Sequence, residues 1–339
     1  MTDTVLVTGG NGFIGGWTIV ALLRQGATVR ATVRNLDSAP ALLARIAAQV
    51  EPGGRLTFFA ADLGADDGWD AAVAGCDYVL HVAAPVGVAA PRDPNELIVP
   101  TRDGALRVLR AACRARVRRV VMTSAIEACR PPLSSADGVS DETRWTELDD
   151  ARLGPYRVAK TLAERAAWDF MAGQSGPTTL TTILPSAVLG PVFSAHYAHA
   201  AQLVRRMLGG GMPRAPRFGF CVVDVRDVVA LHLLAMTAPQ AAGQRFIAAG
   251  EWVWMADVAA MLRAALGDAA RKAPTRTMPD FVLRLVALFD RPARFVTPLL
   301  GRRHVFTSAK AQTMLGWRPR PAAETVAEAA RSAIAHGLV

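Results

Sequence analysis

The segment Val7-Thr8-Gly9-Gly10-Asn11-Gly12-Phe13-Ile14-Gly15 constrains this chain more than any other. It follows a short apolar run, Thr4–Thr8, and leads into a stretch with helical periodicity over residues 15–25. It fits G-x-x-G-x-x-G through Gly9, Gly12 and Gly15, and G-x-G-x-x-G through Gly10, Gly12 and Gly15. Either spacing lets the strand turn tightly, lets backbone approach a pyrophosphate, and lets the helix pack hard on the sheet. The free N–H groups and positive dipole end of that helix then face the phosphates. The pattern predicts a dinucleotide cradle made by Gly9, Asn11, Gly12, Phe13, Ile14 and Gly15.

The rest of the first half keeps a strand–helix rhythm. Strand-like runs cover 28–34, 55–60, 78–82, 117–123 and 178–184, and helical patterns cover 39–50, 67–74, 97–115 and Pro155–Ala172. This alternation predicts an α/β, Rossmann-type doubly wound parallel sheet over residues 1–185. Beyond residue 185 the rhythm loosens, and Gly209-Gly210-Gly211, Pro213 and Pro216 mark loops. Amphipathic helices at 257–266, 281–289 and 324–335 predict a smaller, mostly helical C-terminal substrate lobe over 186–339. That lobe is discontinuous, because the chain is expected to return to the sheet near 220–235 and 245–249.

Two features narrow the chemistry. An NAD site places an acid about 20 residues past the glycines, for the ribose 2′-hydroxyl. Here Arg34 stands at that place and Asp37 lies further into the loop. A guanidinium matches a 2′-phosphate in charge and shape, which selects NADP. Asp62 and Leu63 end the third strand, where they are expected to meet the adenine. The second feature is Tyr156-Arg157-Val158-Ala159-Lys160, a Y-x-x-x-K on one helix face. Lys160 can approach both the phenol and the cofactor ribose. A nearby cation is expected to lower the phenol's pKa from about 10 toward neutrality, which makes Tyr156 a proton donor to a carbonyl.

With Thr8–Gly15, VRATVR at 29–34, AADL at 60–63, HVAAP at 81–85, 120–124, YRVAKTLAERAAWDF at 156–170, 184–191 and 220–236 in view, the chain resembles an extended short-chain dehydrogenase/reductase. The resemblance is to the branch of dihydroflavonol reductases and NADPH-dependent ketone/aldehyde reductases. It implies NADPH as donor, Tyr156 as acid and Lys160 as its partner. It also implies that Val82, Ala83, Ala84, Thr123, Pro185 and Val188 flank the cofactor. The family usually carries T-S-S after the fifth strand, whose second serine binds the substrate carbonyl. This chain has Thr123-Ser124-Ala125. Ser124 acting through a shifted loop is the favoured replacement. Thr123, or Tyr156 alone with a water, are the alternatives. Pro85, Val86, Ala125, Ile126, Ser186, Leu189, Phe193 and Tyr197 are expected to wall a mostly apolar pocket for an alkyl or aryl ketone.

The totals fit this reading. The 38 basic and 29 acidic residues give a net charge of +9. The arginines are dispersed, which argues against a nucleic-acid partner and favours an anionic cofactor. Cys76, Cys113, Cys129 and Cys221 have neither C-x-x-C nor metal spacing, and no metal site is expected. No leader pattern and no membrane span of about 18 apolar residues is visible, so a cytoplasmic monomer or homodimer is the expectation. Two rivals remain. A nucleotide-sugar epimerase or dehydratase would carry an acid where Arg34 stands. A non-catalytic NADP-binding regulator would need no Tyr/Lys pair.

Overall fold

In the computed structural model, residues 3–85, 93–150, 152–289 and 291–339 are described, with the side chains of 291, 292 and 295 left aside. Seven strands form the central sheet: β1 (Thr4–Thr8), β2 (Thr28–Val33), β3 (Leu56–Ala60), β4 (Tyr78–His81), β5 (Arg119–Thr123), β6 (Thr179–Pro185) and β7 (Arg245–Ala248). All neighbours pair in parallel, and the order is β7-β6-β5-β4-β1-β2-β3. The order reverses between β1 and β4. Ligands of open α/β sheets bind in that crevice, beyond the carboxyl ends of the strands.

Both faces of the sheet are covered, so its strands are apolar on alternate sides at once. Val5 and Val7 of β1 point into a core built with α1 (Phe13–Arg24), α2 (Ala39–Ala47) and α6 (Val225–Thr237). Leu6 points into the opposite core, with α3 (Trp69–Val73), α4 (Asn95–Arg114) and α5 (Pro155–Ala172). Helix α6 starts where Asp224 accepts the Arg226 amide at 2.8 Å, an N-cap legible in the VDVRD sequence.

The lobe is less helical than the sequence suggests. A three-stranded sheet (Trp252–Trp254, Gly219–Asp224, Ala187–Leu189) and two short strand pairs accompany its helices. The expected return near 220–235 is corrected in its first residues by this. Those residues pair with 187–189 and 252–254, whereas α6 and β7 rejoin the large sheet. Among the described residues, no helix is long and apolar enough to cross a membrane.

Candidate active site at the sheet's carboxyl edge

The glycine loop has the shape its spacing predicts. Gly9 has φ +71°, and a Cβ there would lie 2.9 Å from Ala83 Cα. A Cβ on Gly15 would lie 2.2 Å from the Gly9 carbonyl oxygen. These two positions exclude any side chain, and the loop closes tightly against the start of α1. That helix begins at Gly12 with no side-chain cap and no acid in its first turn. Its first amides are thus open to an anion. Asn11 holds the loop from behind. It donates to Ser38 at 3.0 Å, accepts from Arg45 at 2.7 Å, and its carbonyl meets His196 at 3.2 Å.

Across the switch point, the Thr8 hydroxyl accepts from the amides of Val82 (3.1 Å) and Ala83 (3.0 Å) and meets His81 Nδ1 at 2.9 Å. Burial pushes the His81 pKa down to about 3, with Lys160 adding to the effect, so the ring is a neutral strut. Ala84 and Pro85 follow, half-buried, on this edge. Val86 lies outside the described residues. Arg34 is exposed just past β2 and has no hydrogen-bond or ion-pair partner among the described residues, while Asn35 ties down Asp37 at 2.8 Å. Asp62 is exposed with one oxygen accepting from Gly64 at 2.6 Å, and Leu63 packs over Gly104 of α4. Pro185 ends β6, Ser186 and Val188 follow it, and the buried Ser186 Oγ has no hydrogen-bond partner among the described residues. Phosphate, ribose and carboxamide of a dinucleotide would thus each meet unspent donors: the α1 amides, Arg34, Lys160 and Ser186. The residues present fit NADP.

Lys160 is 5% exposed and donates to the Thr123 carbonyl at 3.2 Å. Burial pushes its pKa down to about 8, against the opposing carboxylate of Glu164. Tyr156 sits one turn earlier on α5. Although 42% of its surface is exposed, burial near the hydroxyl and then the negative field of Glu127 push its pKa up to about 12. The expectation that Lys160 would bring it toward neutrality is corrected. The phenol keeps its proton because burial disfavours its anion, and the negative field of Glu127 adds to that.

Several expected roles are also corrected. The Ser124 hydroxyl is 3% exposed and donates to the buried Glu164 at 2.6 Å. Thr123 Oγ1 meets His232 Nε2 at 2.7 Å. The other ring nitrogen, Nδ1, faces the Val228 carbonyl at 2.8 Å and must donate to it, so Thr123 donates to Nε2 and its proton is spent. Ala125 and Ile126 begin the next turn, both buried. Phe193 and Tyr197 are buried against α1. They stack on Trp17 and Phe13, with ring centroids 5.1 and 5.8 Å apart, and Tyr197 fills the space over Gly16. Leu189 belongs to the lobe core with Val204, Val222 and Val258.

Two features had little sequence signal. Glu127 follows in the same turn and is held by Arg130 at 2.8 Å and Arg157 at 2.6 Å. Burial pushes its pKa up, but the two guanidiniums outweigh that and hold it below the usual range. Glu164, fully buried, gathers Ser124, Thr182 and Arg245. Among the described residues, no group of three His, Cys, Asp or Glu side chains stands together to hold a metal ion.

Residues 5–250 match the NAD dependent epimerase/dehydratase family. The chain belongs to that family. Within it, the chain is an oxidoreductase of the extended short-chain dehydrogenase/reductase type. It is 36% identical to cinnamoyl-CoA reductase 1 of Arabidopsis thaliana, over 72% of this chain and 70% of the relative. It is 34% identical to dihydroflavonol 4-reductase of Dianthus caryophyllus, over 77% and 73%. Its fold is shared with a yeast methylglyoxal/isovaleraldehyde reductase solved with NADPH, at TM-score 0.80, 22% identity and coverage of 99% and 100%. Vestitone reductase from alfalfa matches at TM-score 0.77 and 24% identity, over the whole of both chains.

Proposed function

We propose that this protein reduces a ketone or aldehyde to an alcohol with NADPH, with Tyr156 as the proton donor. The observation that carries the reading is Tyr156 beside buried Lys160, at the edge where Arg34 and the uncapped start of α1 stand free. Bound NADPH supplies a hydride to the carbonyl carbon. Arg34 holds the 2′-phosphate, the amides at the start of α1 hold the pyrophosphate, and Ser186 offers its hydroxyl to the carboxamide. Lys160, charged below about pH 8, donates to the ribose while its bond to the Thr123 carbonyl fixes its direction. Tyr156 donates its proton to the carbonyl oxygen as negative charge develops there. A phenol held protonated suits reduction at neutral pH, because the reverse reaction needs a phenolate.

The test is loss of reduced-nicotinamide absorbance with NADPH and NADH over a panel of aryl ketones and aldehydes. Activity with NADPH should exceed that with NADH, and Arg34→Ala should cut the preference by about 10- to 100-fold, the worth of one charge-assisted phosphate contact. An unchanged preference in Arg34→Ala would remove Arg34 from the phosphate site. No turnover of any carbonyl, with tight NADPH binding, would favour the regulator reading.

Ala125 makes a second prediction. With the Ser124 and Thr123 hydroxyls committed elsewhere, the carbonyl receives only the Tyr156 hydroxyl and whatever water accompanies it. Ala125→Ser restores a donor at the turn and should raise kcat by about 10- to 100-fold, toward the value of one oxyanion donor. A rate at or below wild type would show that another group already fills that role.

A further inference from the structure

Beside the proposed chemistry lies a narrow recess lined by Ile126, Arg130, Phe218, Phe220, Arg302 and His304. It starts one residue past Ala125. It is also tied to Tyr156, since Arg157, the next residue, shares the Glu127 carboxylate with Arg130. Its charges do not balance. Three guanidiniums (Arg130, Arg157, Arg302) face two carboxylates, Glu127 and Asp137. Glu127 is occupied on both oxygens, and Asp137 accepts from the Arg303 amide at 3.0 Å. Arg302 is half-buried, and one of its terminal nitrogens bonds the carbonyls of Leu133 and Ser135. Among the described residues it meets no carboxylate, so its remaining donors are unspent. The His304 ring has no hydrogen-bond partner among the described residues. Burial, then the field of Arg130 and Arg302, opposed by Asp137, keep it neutral.

A half-buried guanidinium without a counter-ion is costly unless a ligand supplies the charge. The aromatic walls argue for an apolar body attached to that charge. Phe218 and Phe220 lie 5.7 Å apart between centroids, and Arg130 stacks over Phe306 at 5.1 Å. The enclosed part of the recess is about as large as one water molecule, so it accepts no more than one ligand oxygen and the rest of a ligand lies at the open mouth. The geometry points to a substrate that is a keto acid or aldehyde acid. Its carboxylate sits on Arg302 and Arg130, and its alkyl or aryl body lies along Phe218 and Phe220. This deepens the carbonyl-reductase reading and rests on it. It also revises the apolar substrate expected from the sequence, because Arg130, Arg302 and His304 join the wall.

The experiment compares 4-oxo-4-phenylbutanoate with its methyl ester, as kcat/KM with NADPH, in wild type, Arg302→Gln and Arg302→Lys. Binding of 4-phenylbutanoate, 4-phenylbutanamide and 3-phenylpropyl phosphate to the NADP-loaded protein is followed beside it by calorimetry. The acid should exceed the ester by about 10-fold or more, mainly through KM. The ratio should fall to about one in Arg302→Gln and recover in part in Arg302→Lys. The carboxylate should bind and the amide should not. Equal use of acid and ester, or an acid preference that survives Arg302→Gln, would overturn the assignment while leaving carbonyl reduction standing. Binding of the acid with neither compound reduced would instead count against reduction and keep the anion seat. Tighter binding of the phosphate would overturn the choice of a carboxylate.

Discussion

Tyr156→Phe should lower kcat for carbonyl reduction by about 10³- to 10⁴-fold, at the upper end of what one general acid contributes. The upper end is expected because neither hydroxyl of the Thr123-Ser124 pair shares the work. Ser124 is spent on Glu164 at 2.6 Å, and Thr123 on His232 at 2.7 Å. NADPH affinity should change by less than about 3-fold, since the phenol is not the group that meets the phosphates. The pH profile adds an independent check. Tyr156, its pKa pushed up to about 12, stays protonated across the working range. Reduction should therefore be level through neutral pH and decline only as Lys160 loses its proton, near pH 8. Alcohol oxidation should rise with pH over the same range, because it needs the deprotonated phenol. Steady-state rates in both directions, with a fluorescence titration of NADPH, decide the matter. A loss under 10-fold would move the acid role to another group.

The largest stability effect should come from Glu164→Ala. The Glu164 side chain is fully buried and receives Arg245 at 2.8 Å, Ser124 at 2.6 Å and Thr182 at 2.7 Å. Arg245 in turn donates to the carbonyls of Glu142 (2.6 Å) and Arg144 (3.0 Å) and lies over the Trp145 ring at 3.6 Å. The pair joins α5, β5, β6, β7 and the 142–146 segment at one point. Removing one partner leaves a buried guanidinium and two hydroxyls uncompensated, at a cost of about 3–5 kcal/mol. Urea unfolding should show the midpoint falling with the slope unchanged. The double change Glu164→Leu with Arg245→Met should recover most of the loss, because neither charge is then stranded. A single-variant cost below about 1 kcal/mol would mean that water reaches the site.

Lys160 feels the same carboxylate, which links the two predictions. Its pKa is lowered on folding, so the unfolded chain binds more protons between about pH 8 and the ordinary lysine value of about 10.5. Stability contributed by this group therefore rises with pH through that window and is least below it. Losing Glu164 removes the one opposing charge and should lower the Lys160 pKa further, so the decline in reduction rate moves to lower pH.

Much of the molecule was legible in its sequence because the features concerned are local. The glycine spacing, the residue 20 positions on, and the i,i+4 pair on a helix each depend on backbone geometry within a few turns of chain. Gly9, Gly15, Arg34, Tyr156 and Lys160 stand accordingly along one edge. The parallel sheet was legible for a related reason. Strands buried on both faces read as continuous apolar runs, and right-handed crossovers leave few ways to arrange them.

What the tertiary structure alone decided depends on groups far apart in the chain. Ser124 looks available in sequence, yet Glu164, forty residues on, claims its hydroxyl. The phenol's pKa depends first on its burial and then on the field of Glu127, and the residue spacing fixes only the lysine. Phe193 and Tyr197 have pocket-like chemistry, but Gly16 on α1 opens the space that buries them. Arg302 reaches the Leu133 carbonyl across 169 residues, and that contact sets a cation beside Ile126. Local propensity and periodicity determined the cofactor cradle and the Tyr/Lys pair. Long-range packing and burial decided which hydroxyls are free, which acid keeps its proton, and that Arg130 and Arg302 line one recess beside Ile126.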